Sequence, residues 1–253
     1  GTNKTKDVSG GWHDAGDYGR YVVPGAKAAA DLMLAYEDYP EVFDDNLGIP
    51  ESGNGVTDVL DEVRYELDWL LKMQDESSGG VYHKVTTLNF GGMVMPEEEK
   101  EALYIMPISN CATGDFAAVM AMAARVYEKF DKTFANKCLS AAKTALAYME
   151  RNDNKGGFKN PSDVSTGEYP DGNDADEYFW ALSELYKTTG DSSYHEKLKK
   201  LNVESLEDGM GWQAVTLYGC YAYLNSKNTD VSFKNKVQNK FNSYLSSVEN
   251  NIN

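Results

Sequence analysis

Apolar side chains recurring every three to four residues run through most of this chain, and that period commits it to helices. The clearest segment is 56–74, where Val59, Leu60, Val63, Leu67, Leu70 and Leu71 share one face. Segment 22–39 repeats the pattern through Ala29, Leu32, Met33 and Tyr36, and Pro40 stops it. Further helices are predicted at 111–130, rich in alanine, then 133–151, 174–189, 194–202, 212–225 and 232–248, about eight in all. Gly190 closes the fifth of them as a helix C-terminal glycine should. Strand alternation is almost absent.

The connections are of two kinds. Some neighbours are separated by a two-residue break, whereas 75–109 and 152–173 are long, glycine-rich loops, the first carrying Tyr82, His83 and Phe90. That alternation predicts helical hairpins whose loops gather at one end. No residue-level repeat supports a simple solenoid. The expected class is all-α, a toroid of helical hairpins.

With 253 residues the chain can bury a sizeable core in one large domain or two small ones. A net charge of −16 and the lack of a basic stripe exclude nucleic-acid binding. No apolar run reaches membrane-spanning length, so no membrane partner is expected. Cys111, Cys138 and Cys220 read as buried thiols rather than a disulfide framework or a paired metal motif. The 17 tyrosines suit sugar sites as readily as cores, and a neutral polysaccharide tolerates the acidic balance.

One loop carries recognisable chemistry. In Gly10-Gly11-Trp12-His13-Asp14-Ala15-Gly16-Asp17-Tyr18-Gly19-Arg20-Tyr21, two carboxylates three residues apart can hold one water between them. One acts as base while the other orients the water. Asp-Ala-Gly-Asp before a helix is also an ordinary N-terminal cap. The longer run from Asp7 to Val22 closely resembles the catalytic-base segment of glycoside hydrolase family 9, the inverting cellulases, particularly members with an upstream immunoglobulin-like module. Similar blocks follow at Ile49-Pro50-Glu51-Ser52-Gly53-Asn54-Gly55-Val56, Trp69-Leu70-Leu71-Lys72-Met73-Gln74, Val81-Tyr82-His83-Lys84-Val85 and Asp176-Glu177-Tyr178-Phe179-Trp180-Ala181. The resemblance covers most of residues 7–225.

That resemblance implies an (α/α)6 barrel of twelve helices, of which this chain supplies about two-thirds, as the N-terminal portion of one catalytic domain. It implies that Asp17 is the general base and that Asp14 helps hold the water. Inversion needs an acid carboxyl about 6.5–9.5 Å across the site. In the family this is a glutamate near the end of the barrel, and no glutamate here matches its context. The start at Gly1-Thr2-Asn3 reads as an interior cut, so a secreted, extracellular parent and a truncated, self-associating fragment with an open barrel edge are expected.

The remaining candidates each carry two readings. His13 either orients a carboxylate or is a structural zinc ligand whose cysteine and histidine partners are missing. His83 resembles a family histidine that contacts sugar, against a free loop histidine. His195 reads as surface. Among Asp171, Asp174, Asp176 and Glu177, the family's calcium site matches Asp176 and Glu177 with Asp174 beside them, a stabilising rather than chemical role; the alternative is a helix N-terminus rich in acids. Trp12 and Tyr18 sit in the catalytic loop as sugar contacts. Trp180 and Trp212 are either stacking platforms or core, and Trp69 is packing. The function expected is inverting hydrolysis of β-1,4-glucan, against a catalytically silent carbohydrate-binding fragment and, more distantly, a polysaccharide lyase.

Overall fold

The computed structural model describes residues 4–152 and 157–252, without the Ile252 side chain; residues 153–156 of the second long loop lie outside the described residues. Each periodic segment forms a helix. These are α1 (Val22–Asp38), α2 (Asp58–Met73), α3 (Asn110–Tyr127), α4 (Lys132–Met149), α5 (Ala175–Thr189), α6 (Ser192–Leu198), α7 (Thr216–Leu224) and α8 (Val231–Ile252). The caps are chemical as well as geometric. The Ser109 hydroxyl accepts from Ala112 N–H ahead of α3, the Asp131 carboxylate from Phe134 N–H ahead of α4, and α5 ends at Gly190 with φ 67°.

Packing sorts the helices into two layers. The odd helices α1, α3, α5 and α7 lie side by side in that order, and each even helix packs on the odd helix before it. The result is four of the six hairpins of an (α/α)6 barrel. Every residue of α3 except Arg125 is buried, and its alanines at 112, 117, 118, 121, 123 and 124 let α1, α4 and α5 close in on all sides. Arg125 binds across the layer: Nε lies 2.6 Å from Glu37 of α1 and an Nη 3.0 Å from Glu184 of α5, while Lys187 Nζ reaches Glu37 at 3.1 Å.

The loops before α1, α3, α5 and α7 share the end of the barrel at which the odd helices begin, while the long connection 39–57 leads into α2. Short strands lace two of them together. β1 (Arg20–Tyr21) pairs antiparallel with β3 (Lys84–Thr86), which pairs with β4 (Tyr104–Ile105); β2 (Val81–Tyr82) pairs with β5 (Ile108–Ser109). Two or three residues are too few to show a period of two, which is why the sequence reads as nearly strand-free.

The three cysteines are buried free thiols, and Trp69 is buried in the core. His195 is not on the surface. It is 9% exposed, its Nε2 lies 2.9 Å from the Tyr223 hydroxyl, and its ring stacks on Tyr186. The sequence around it is polar, but one turn of α6 faces inward. No helix among the described residues is long and apolar enough to cross a membrane.

Candidate active site

The catalytic loop is held from both sides. Asp14 N–H donates to Gly19 O at 2.8 Å and closes the turn, and Arg20 donates from one Nη to Val8 O and Gly10 O, both at 2.6 Å. Gly11 has φ +81°, and a Cβ there would stand 2.5 Å from the Trp69 ring. Only glycine lets the backbone cross that indole. Glu66, buried on α2, accepts Trp12 N–H at 2.6 Å; burial pushes its carboxyl up to about 7, against the pull of that N–H and of Arg20.

Asp14 and Asp17 open into one cavity of about 440 Å³, lined also by Tyr21, Phe90, Gly167, Tyr169 and Trp212. The two carboxylates are each gripped by a tyrosine. Tyr21 Oη lies 2.6 Å from Asp17 Oδ2, and Tyr169 Oη 2.7 Å from Asp14 Oδ2. Asp17 Oδ1 is buried and has no hydrogen-bond partner in the protein. Desolvation raises the Asp14 carboxyl above its ordinary value, opposed by the Tyr169 hydrogen bond and reinforced by the Asp17 charge. Tyr169 sits edge-on to both Tyr21 (4.9 Å) and Trp212 (5.0 Å), which builds an aromatic wall beside the carboxylates.

Other residues are placed elsewhere. Trp12 donates its indole N–H to Glu62 of α2 at 2.7 Å and packs against the core rather than lining the cavity. Tyr18 donates its hydroxyl to Val94 O, tying the catalytic loop to the loop before α3. His83 is fully buried, stacked on Phe158 at 3.7 Å, with Nδ1 on Ser109 Oγ and Nε2 on Glu168 O. Burial pushes it down to about 4. The reading of His83 as a sugar contact is therefore corrected: both ring nitrogens are taken by protein, and it underpins the 166–169 segment instead. Trp180 is corrected likewise, since it is wholly buried and stacked on Tyr218 at 5.0 Å. Trp212 lies four residues ahead of α7 rather than within it, and this places it on the cavity wall.

Tyr21, Tyr169 and Lys84 were not singled out in the sequence. Lys84 on β3 is buried, and its Nζ reaches Thr166 Oγ1 at 3.0 Å and Gly167 O at 2.5 Å. Burial pushes this ammonium down to about 8. It fastens the loop carrying Tyr169 onto the sheet carrying Tyr21.

The acidic cluster at the start of α5 is more buried than its sequence suggests. Both oxygens of Glu177, one of Asp171 and both of Asp115 on α3 are buried without a hydrogen-bond partner. Burial first, then repulsion from neighbouring carboxylates, among them Asp176, pushes all three carboxyls up, Asp171 to about 6. Asp176 accepts Val215 N–H at 2.8 Å, and Asp174 accepts from the Asn110 side-chain amide at 2.6 Å. Orphaned buried carboxylate oxygens suit a hard cation. Among the described residues the carboxylates that converge most tightly are instead Asp45, Asp58 and Asp61, with one oxygen from each within 4.8 Å of the others. His13 is exposed near Tyr18 and belongs to no group of three or more His, Cys, Asp or Glu among the described residues, so the residues present do not fit a four-ligand zinc site.

A helical-hairpin toroid with paired carboxylates in an aromatic cleft at its loop end defines a class of carbohydrate-active protein, and the comparisons with known proteins make it specific. The family model for glycosyl hydrolase family 9 matches residues 1–253, and the chain belongs to that family. It is 40% identical over 232 residues to Endoglucanase D of Acetivibrio thermocellus, covering 90% of this chain and 37% of that protein. The crystal structure of a D468A thermostable endoglucanase from Alicyclobacillus acidocaldarius matches with TM-score 0.88 at 39% identity, over 95% of this chain and 46% of that one. A Zn-binding triple mutant of the family 9 endoglucanase J30 matches with TM-score 0.84 at 37% identity, over 95% and 46%. The chain thus spans less than half the length of each.

Proposed function

We propose that this chain supplies the base half of a site that hydrolyses β-1,4-glucan with inversion. Asp17 removes the proton from a water, and Asp14 orients that water. Attack comes on the anomeric carbon from the face opposite the leaving oxygen, so the proton donor must stand across the cleft. Trp212, Tyr169 and Phe90 offer faces for pyranose rings. The observation that carries this reading is the convergence of both aspartates and these rings on one cavity.

The acid glutamate has no counterpart that can be recognised in these residues, so the 253-residue chain alone is expected to bind glucan without turning it over. A polymeric substrate too large to enter a cell favours an extracellular site of action. On this reading calcium would be held at Asp176 and Glu177, with Asp171, Asp174 and Asp115 nearby, and would there neutralise buried carboxylates and stabilise the fold; the buried, unpartnered oxygens of Asp171, Glu177 and Asp115 support this. Zinc is assigned no role here.

Reducing-sugar release from soluble mixed-linkage β-glucan tests the reading. The experiment compares this chain, a chain extended to the length of its relatives, and that extended chain carrying Asp17→Ala. Turnover only in the extended form, abolished by Asp17→Ala, is the expected result. Turnover by the 253-residue chain itself would mean that the acid lies within it.

A further inference from the structure

Tyr21 is the one residue whose side chain turns back from β1 onto the catalytic loop and meets the carboxylate four positions earlier. Its ring is 3% exposed and its hydroxyl lies 2.6 Å from Asp17 Oδ2. The ring has nowhere else to go. Tyr169 meets it edge-on at 4.9 Å, and the Lys84 ammonium stands 5.4 Å from its centroid. Gly167 comes so near that an added Cβ would lie 3.2 Å from the Tyr21 hydroxyl oxygen, and one at Gly19 would lie 2.7 Å from the ring and 2.9 Å from Asp17 Oδ2.

The chemistry of this contact has one direction. An ionised carboxylate only accepts, so the phenol is the donor. Burial, then the hydrogen bond to Asp17, raise the phenol well above its ordinary value and keep its proton in place. A carboxylate acting as base must present one lone pair along the path from water to the anomeric carbon, and an unrestrained aspartate turns freely about two torsions. Occupying Oδ2 fixes both.

We propose that Tyr21 is a positioning residue for the reaction, clamping Oδ2 of Asp17 and so fixing the orientation of the carboxylate that acts as base. The proposal rests on the reading of Asp17 as general base. Tyr169 does not duplicate it, because Tyr169 binds the other carboxylate. Lys84 acts one step further back by holding Gly167 against the Tyr21 ring.

Two measurements on the chain extended to the length of its relatives test this. In the first, Tyr21→Phe keeps the ring and removes only the hydroxyl. The expected result is a fall in kcat on mixed-linkage β-glucan of about 10²-fold, the scale of a misplaced catalytic group, with KM changed by less than about twofold. An unchanged kcat, or a loss carried by KM alone, overturns the clamp. The second measurement reads the Tyr21 ring by 13Cζ-tyrosine NMR at neutral pH and needs no turnover. Asp17→Asn removes the anionic acceptor and should move the Tyr21 13Cζ resonance; an unmoved resonance overturns the contact even if Tyr21→Phe were too unstable to assay. A parent protein that releases no sugar yet shows the moved resonance would sink the hydrolase reading and with it the role of Tyr21 in the reaction, leaving only the hydrogen bond.

Discussion

Tyr169 and Asp14 lie 155 positions apart in the chain and are joined by a 2.7 Å hydrogen bond across the candidate cleft. The phenol favours the ionised carboxylate that desolvation opposes. Tyr169→Phe should therefore raise the Asp14 carboxyl further and move the acid limb of the pH–rate profile of an active, extended chain to higher pH. At the optimum, turnover should fall about 10-fold or more. A profile superimposable on that of the parent would separate Tyr169 from Asp14 chemistry.

Calcium should stabilise the fold through the cluster of Asp171, Asp176, Glu177 and Asp115. At a calcium concentration a hundredfold above Kd the gain is about 2.7 kcal/mol, read as a higher melting temperature in calcium than in chelator at pH 7. At pH 5 the difference should shrink, because these raised carboxyls, Asp171 at about 6, take up protons in competition with the cation. Glu177→Gln should blunt the response at either pH. Melting curves that ignore both calcium and chelator would dismiss the site.

Glu66 gives the chain a second pH dependence. Its folded pKa of about 7 stands above its ordinary value, so the folded state holds the proton more tightly than the unfolded chain does. The stability this confers is complete below about 4 and is lost as pH rises through about 7. Glu66→Gln keeps an acceptor for Trp12 N–H and removes the buried charge. Urea unfolding should show the variant gaining on the parent between pH 5 and 8, on the order of 1–3 kcal/mol. A constant difference across that range would contradict the assignment.

Arg125 is the cation between Glu37 and the buried Glu184. Arg125→Met leaves Glu184 without that partner in the core and should cost about 3–5 kcal/mol, measured by denaturant unfolding. The double variant Arg125→Met/Glu184→Met should recover much of that loss, since a well-packed apolar replacement tolerates removal of both charges.

The helices were legible because each is decided by its own period. Residues 59, 60, 63, 67, 70 and 71 need no distant partner to declare a face, and all eight segments form within a few residues of their expected bounds. The aspartate pair was legible because it is local. Tyr21, Tyr169 and Lys84 were not, since each acts through a contact made only after loops before α1, α3 and α5 meet. Trp180 misled for a related reason: a tryptophan on a helix has the same sequence signature whether it faces a cleft or a core, and the packing of Tyr218 on it decides the matter. Asp115 was hidden inside an alanine-rich helix whose burial only the neighbouring helices reveal.

Tyr18 and Tyr169 both adopt left-handed backbone conformations, with φ 55° and 45°, where asparagine or glycine would sit at lower cost. One ties the catalytic loop to its neighbour and the other grips Asp14. A selection for thermal robustness alone would be drawn to these two positions first, replacing each aromatic with a residue that relaxes the turn. Variants chosen that way should tolerate heat better and turn over more slowly, so positions 18 and 169 are where screening for durability and screening for turnover would part company.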